Sequence, residues 1–230
     1  MVWNRKIAYI NLSTGKIIQK PIPKKVRSLY LGGRGINMYL LYNHVKPKID
    51  PLGPKNVLFI GAGLIGGIPC LGSGRCDIAA KSPLTGAVGD SNIGGFFAPE
   101  LRFAGFDHLV ITGSAKKPVY IWINDGEVQL KDASGLWGKD TFETQTAIRN
   151  DLGDDEVKCL VIGTAGENLV RFANVRTGMK NSAGRTGMGC VMGSKKLKAI
   201  AVRGTMNLEF SYPDELLDYC KEMNDMIMGT

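Results

Sequence analysis

The 230 residues include only two histidines, His44 and His108, and five cysteines, no two of them spaced C-x-x-C. No zinc or iron–sulfur ligand set is written in such a pattern. The cysteines are Cys70, Cys76, Cys159, Cys190 and Cys220, and a reduced, cytoplasmic protein is the simple expectation. No run of 18 apolar residues occurs, so no helix is expected to cross a membrane. Charges interrupt the opening MVWNRKIAYINL, which therefore lacks the form of a signal peptide. No nucleophile–base constellation is legible: the two histidines read as structural, and Asp90 and Glu100 lack a partner for acid–base work. Glu167 and Asn168 read as turn caps.

Glycine is abundant, with 30 in 230 residues, nearly double the usual share of about 7%. It is scattered through apolar stretches, which suggests backbone packed on backbone or on a ligand. The formal charge is +8, which favours anionic partners without naming one. Basic residues are dense only at 20–27 and 195–198. Neither run has interleaved aromatics, so a solvated surface is the plain reading of each, and a nucleic-acid partner rests on net charge alone.

Alternation at 6–12, a turn at Ser13-Thr14-Gly15 and a return at 16–20 predict a hairpin. Helical spacing follows at 25–31 and 36–45. Residues 57–60 and 75–80 read as strands, 81–95 as a loop, 96–104 as a helix and 108–112 as a strand. A second hairpin is expected at 119–130 around Asn124-Asp125-Gly126. Helices are expected at 140–152 and 213–228, the latter capped by Ser211.

An internal echo decides the fold class. Val57-Leu-Phe-Ile-Gly61 resembles Cys159-Leu-Val-Ile-Gly163, and each half later reaches a glycine loop, Asn92-Ile-Gly-Gly95 or Ser182-Ala-Gly-Arg185. The predicted fold is α+β: a duplicated strand–strand–loop–helix–strand unit, 57–113 and 159–204, with mainly antiparallel β-sheets and pseudo-twofold symmetry.

Two phosphate-binding patterns fail on physical grounds. Gly61-Ala-Gly-Leu-Ile-Gly66 matches a dinucleotide fingerprint, but Gly67, Pro69, Gly72 and Gly74 forbid the helix it requires. Gly187 to Lys195 carries its lysine and hydroxyl in the wrong order for a Walker loop. A weaker expectation survives there, an anion held by free N–H groups at a helix start. Arg75 and Arg185 both sit in repeat-matched glycine loops. There a flat or charged group could approach the main chain while the guanidinium offers a fork of donors.

Together the motifs Leu31-Gly-Gly-Arg-Gly35, Ala80-Lys-Ser-Pro-Leu-Thr-Gly86, Asn92-Ile-Gly-Gly95, Thr164-Ala-Gly-Glu-Asn-Leu-Val170, Ala183-Gly-Arg185 and Val191-Met-Gly-Ser-Lys195 carry a family resemblance. The chain resembles the N-terminal domain of the tungsten-containing aldehyde:ferredoxin oxidoreductases over almost its whole length. The resemblance implies a tungsten bis-pyranopterin cofactor (tungstopterin) lying on paired sheets, one pterin on each half. Its metal would be held by dithiolene sulfurs. Arg75 would link a pterin to a neighbouring [4Fe–4S] cluster. Asn92, Gly94 and Gly95 would form one pterin loop, and Asn181, Ser182, Ala183, Gly184 and Arg185 the other. Backbone carbonyls of Asn92 and Ser182 would reach a magnesium ion bridging the pterin phosphates. The family often has arginine and alanine where this chain has Asn181 and Ser182. A backbone contact survives that change, and a phosphate salt bridge from position 181 does not.

The same resemblance implies aldehyde oxidation, with electrons passing to the cluster and then to ferredoxin. The cluster cysteines and catalytic acid would lie in later helical domains. Residues 1–210 are thus expected to be the cofactor-binding domain and 211–230 the start of a helical one. The chain is expected to be inactive alone, as a split subunit, truncated product or excised domain, and a homodimer is a possible assembly. A related tungsten enzyme reducing aromatic thioesters, a non-catalytic pterin carrier and an anion-binding module are the alternatives.

Overall fold

The computed structural model describes residues 6–229. Chain order is β1 (Lys6–Asn11), β2 (Ile17–Pro21), α1 (Lys24–Tyr30), α2 (Gly33–His44), β3 (Leu58–Ala62), β4 (Cys76–Lys81), β5 (Val88–Ile93), α3 (Phe97–Phe103) and β6 (His108–Thr112). The second half runs β7 (Val119–Asn124), β8 (Glu127–Asp132), α4 (Thr141–Leu152), β9 (Lys158–Val161), α5 (Thr164–Glu167), β10 (Val175–Thr177), β11 (Asn181–Ala183), α6 (Met188–Ser194) and β12 (Leu197–Arg203). Helix α7 (Pro213–Met228) closes the described chain.

Two six-stranded sheets carry the duplication. One has the order β2-β1-β6-β3-β4-β5; the other, read from its opposite edge, is β8-β7-β12-β9-β10-β11. Every strand of the first therefore has a counterpart in the second. In both sheets one inner pairing is parallel, β1 with β6 and β7 with β12, and the rest are antiparallel. The registers agree as well. Tyr9 and Phe59 flank Val110, while Tyr120 and Val161 flank Ala199.

The α+β class and the repeat are as expected, and the repeat is larger than the sequence suggested. Each hairpin, β1-β2 and β7-β8, belongs to its copy. Residues 81–95 are a loop only in part, because β5 pairs with β4 across six positions. The unit expected as strand–strand–loop–helix–strand is therefore strand–strand–strand–helix–strand, and Asn181–Ala183 is the matching third strand. Gly89, Asp90 and Asn92 are weak strand formers, so pairing with β4 and not local preference builds β5. Gly89 is required there: a Cβ would lie 2.9 Å from both Met188 Cε and Ser82 Cβ.

Strand alternation sorts the core into layers. The inner faces, with Ile10, Ile60, Ile78, Ile93, Ile121, Leu160 and Ile200, share one cluster with Phe97 and Leu101 of α3 and Met188 and Met192 of α6. Helices α3 and α6 each touch both sheets. The outer face of the first sheet packs Phe59 and Val110 under Ile36 and Leu40 of α2. The outer face of the second packs Tyr120 and Val161 under Ile148 of α4.

Three local expectations are corrected. Tyr212, not Ser211, occupies the cap position of α7, without a capping side chain, and Pro213 starts the helix. The basic run at 195–198 is not a solvated face, since Lys195 and Lys198 are buried. Lys195 Nζ donates to Asn56 O and, at 2.9 Å, to Gly113 O, tying the second repeat to the first. Burial pushes that ammonium down to about 8. Lys198 donates to Lys139 O (2.7 Å) and pairs with Glu167, whose other oxygen accepts from Gly138 N (2.9 Å). Glu167 is therefore half of a buried ion pair and not a turn cap.

Candidate cofactor-binding face

The glycine-broken stretch after β3 is organised by α3. Arg102 is buried in an ion pair with Asp107 at 3.4 Å and donates from Nη1 to Leu64 O and Gly66 O. No helix begins at Gly63, as the proline and glycines required. The loop leads to Arg75, which stands exposed just before β4 and donates to Asn92 Oδ1 at 3.3 Å. Loop and strand end meet closely: a Cβ on Gly74 would lie 2.3 Å from Gly95 O.

Asn181 joins the two repeats at this point. Its amide lies across the glycines after β5, with Oδ1 3.6 Å from the Cβ position of Gly94 and Nδ2 2.9 Å from that of Gly95. Arg75 Nη1 lies 3.8 Å from the same position on Gly94. Further along, Ser91 Oγ donates to Gly184 O (2.5 Å), Thr186 Oγ1 to Asp90 O (3.2 Å) and Ser82 Oγ to Thr186 O (2.7 Å). These contacts hold the loop at 184–187 against β5. Arg185 (φ 60°), Thr186 (φ 48°) and Gly187 (φ 80°) are consecutively left-handed, a conformation costly for the first two residues.

The structure thus gathers Arg75, Asn92, Gly94, Gly95, Asn181, Ser182, Gly184 and Arg185 where the third strands of the repeats meet. Register places Asn92 opposite Asp77 and Ile93 opposite Cys76 in the first sheet, and Ser182 opposite Arg176 and Ala183 opposite Val175 in the second. Alternation exposes Asn92 and Ser182 and buries Ser91, Ile93 and Ala183. Ala183 accordingly lies in the core, and only its main chain can serve a ligand. A cleft of about 610 Å³ opens beside this face, lined by Cys70, Leu71, Arg75, Gly94, Gly95, Phe96, Asn181 and Asn224. Phe96 is 73% exposed there.

At the helix start at Met188, where the sequence suggested an anion, part of the N–H set is already taken. Gly189 N already donates to Ala173 O (3.0 Å). Its glycines serve close approach: a Cβ on Gly193 would lie 1.9 Å from Gly166 O. Both histidines are structural. His44 Nδ1 meets Leu40 O at 2.8 Å, and buried His108 meets Asn37 Oδ1 at 2.9 Å. Nothing in the chain's motifs points to what Asn37 does next. Its Nδ2 donates to Asp77 Oδ2 (2.8 Å) and Asp77 O (3.0 Å), linking α2, β4 and β6 beneath the face. Burial pushes the Asp77 carboxyl up to about 6, and nearby Asp90 adds to this. Asn37 and Arg34, which is paired with Asp90, oppose the shift. No signal at residues 37, 77 and 108 could have found this network from one sequence. Among the described residues no group of three or more His, Cys, Asp or Glu could hold a metal ion. None of their helices is long and apolar enough to cross a membrane.

The family described as "Aldehyde ferredoxin oxidoreductase, N-terminal domain" matches residues 7–204. The chain belongs to that family. It is 43% identical over 99% of its length to the tungsten-containing aldehyde ferredoxin oxidoreductase of Pyrococcus furiosus. It is 32% identical over 97% of its length to the aliphatic sulfonate oxidoreductase, WOR-like subunit, of the same organism. It spans 38% and 39% of those relatives. Among solved structures, the active site complex BamBC of benzoyl coenzyme A reductase, in complex with 1,5-dienoyl-CoA, matches the whole chain. That match has a TM-score of 0.96 at 38% identity and covers 35% of the BamBC chain.

Proposed function

We propose that the chain is the cofactor-seating part of a tungstopterin or molybdopterin oxidoreductase. The enzyme would oxidise aldehydes to carboxylic acids and send electrons through a [4Fe–4S] cluster to ferredoxin. The observation that carries this reading is the convergence of the third strands of the two repeats, β5 and β11, with Asn92 and Ser182 exposed on them. The face fits a large, flat, anionic cofactor. Gly72 and Gly184 have nothing within 4 Å of a Cβ position, so the main chain is open to a ligand. Arg75 and Arg185 supply exposed cations, and Asn181 an amide. Arg185 would hold phosphate, while main-chain groups at Asn92, Gly94, Gly95 and Ser182 to Gly184 would hold the pterins. The carbonyls of Asn92 and Ser182 would face a bridging magnesium ion.

When bound, the cofactor supplies two-electron redox chemistry at its metal. This chain's share is position and charge: Arg75 donates a planar fork from a rigid strand start, and Phe96 and Leu71 give the cleft apolar walls that displace water. The cluster cysteines, the catalytic acid and the substrate pocket belong to the remaining helical domains of the enzyme, in the same or a separate chain. Alone, the chain holds part of a site and turns nothing over. The cytoplasm is the compartment consistent with its free cysteines.

A second reading, thioester-linked aromatic reduction, draws on the likeness to benzoyl coenzyme A reductase. The test is purification of the full-length protein from its own host, with tungsten and molybdenum analysis and viologen-linked assays of aldehydes and of benzoyl coenzyme A. Metal with aldehyde-dependent dye reduction supports the first reading. Metal with activity on the thioester alone supports the second. Protein free of both metals overturns both.

A further inference from the structure

Helix α7 is clipped to the loop that leads to Arg75. Leu71 N donates to Asn224 Oδ1 at 3.0 Å, and Asn224 Nδ2 donates to Pro69 O at 3.1 Å. Those two bonds bracket Cys70. Cys220 stands one turn before Asn224, on the same face of the helix. The Asn224 clip sets the Cys220 thiol beside Cys70, near enough for Cys70 to raise it. Cys220 is 3% exposed, whereas Cys70 is half-buried and lines the cleft beside Arg75. The other cysteines are buried in β4, β9 and α6.

We propose that Cys70 and Cys220 form a reversible disulfide that locks α7 onto the cleft-lining loop. One sulfur is accessible, its partner is sheltered, and two flanking hydrogen bonds hold both segments in place. The inference stands on these contacts and does not depend on the reaction assigned to the family.

The oxidant is a small-molecule disulfide such as oxidised glutathione. Cys70, as the accessible thiolate, attacks one of its sulfurs; a Cys70–glutathione bond forms and the glutathione S–S bond breaks. The first glutathione leaves and takes the proton that Cys70 gave up. Cys220 then attacks the Cys70 sulfur, loses its proton and displaces the second glutathione. Two protein thiols and one small disulfide become one protein disulfide and two small thiols. Two electrons have moved to glutathione, with no net proton released. Burial raises the Cys220 thiol and neighbouring Cys70 adds to this, which keeps Cys220 a resolving sulfur and not the first attacker.

The test uses the full-length protein in reduced and oxidised glutathione, quenched by alkylation and mapped by peptide mass. A linked pair of peptides containing Cys70 and Cys220 is expected only under oxidation. Either Cys70→Ser or Cys220→Ser abolishes it, and Cys190→Ser leaves it intact. Amide exchange across residues 213–228 should slow about tenfold or more on oxidation, because the helix can no longer lift from the loop. Complete separate alkylation of both thiols after oxidation overturns the proposal. So does a disulfide that leaves exchange in the helix unchanged.

Discussion

Replacing Asp77 with asparagine should reshape the pH dependence of stability in a direction fixed by the site. The carboxyl is 1% exposed, Oδ2 accepts from Asn37, and Oδ1 has no hydrogen-bond partner. Its folded value is raised from 3.8 to about 6. The native state therefore binds the proton more tightly than the unfolded chain, and the carboxyl costs stability as pH rises from about 4 through about 6. Roughly two units at about 1.4 kcal/mol each make that cost about 3 kcal/mol. Asparagine copies the shape of the neutral acid and cannot ionise. Asp77→Asn should thus resemble wild type near pH 4 and exceed it by about 3 kcal/mol at pH 8. Urea unfolding of both proteins at half-unit steps reads this as a widening gap between two curves. Curves that stay parallel from pH 4 to 8 would show that Asp77 carries no penalty, and the burial argument would fail.

Other perturbations test other parts of the molecule. Glu167→Gln strands the buried Lys198 ammonium and should cost about 3–5 kcal/mol by urea unfolding, while the double change Glu167→Leu with Lys198→Met costs much less; equal losses would refute the pairing argument. Gly193→Ala drives a methyl group into Gly166 O and should lower stability by about 1–3 kcal/mol; an unchanged melting temperature would mean that α5 and α6 separate freely. In the full-length enzyme, Arg75→Lys keeps charge but loses the fork, so metal content should hold while turnover drops roughly tenfold. The exposed Lys48→Gln serves as its control, and wild-type turnover in Arg75→Lys would make Arg75 a plain surface charge.

Alternation and turn chemistry were enough to read β1-β2 and β7-β8, since Ser13-Thr14-Gly15 and Asn124-Asp125-Gly126 punctuate them. The apolar runs of β3 and β9 were equally plain, and their likeness exposed the duplication. Strand β5 was missed because Gly89, Asp90 and Asn92 say loop locally while β4 makes them a strand from outside. Strand β11 is three residues long and has no period to detect. At the site, the glycines beside Arg75 and Arg185 marked both arginines, but Asn92 and Asn181 came forward only through family resemblance. The burial of Lys195 and Lys198 contradicts charge patterning, because their acceptors at Asn56, Gly113 and Lys139 lie far away in sequence. The network of Asn37, Asp77 and His108 is hidden for the same reason.

The shared middle layer has a consequence for how such a chain can change over time. Because α3 and α6 each rest on both sheets, neither copy of the unit has a complete interior without the other. A gene fragment encoding one copy would leave half of each helix's apolar surface uncovered, so deletion or transfer of a single copy is closed as an evolutionary route. Side chains at equivalent positions remain free to diverge, as they have at Ala79 and Arg176, which pair with Phe59 and Val161 in matching registers. Asymmetry can accumulate on the outer surface of a frame whose two parts can no longer be inherited apart.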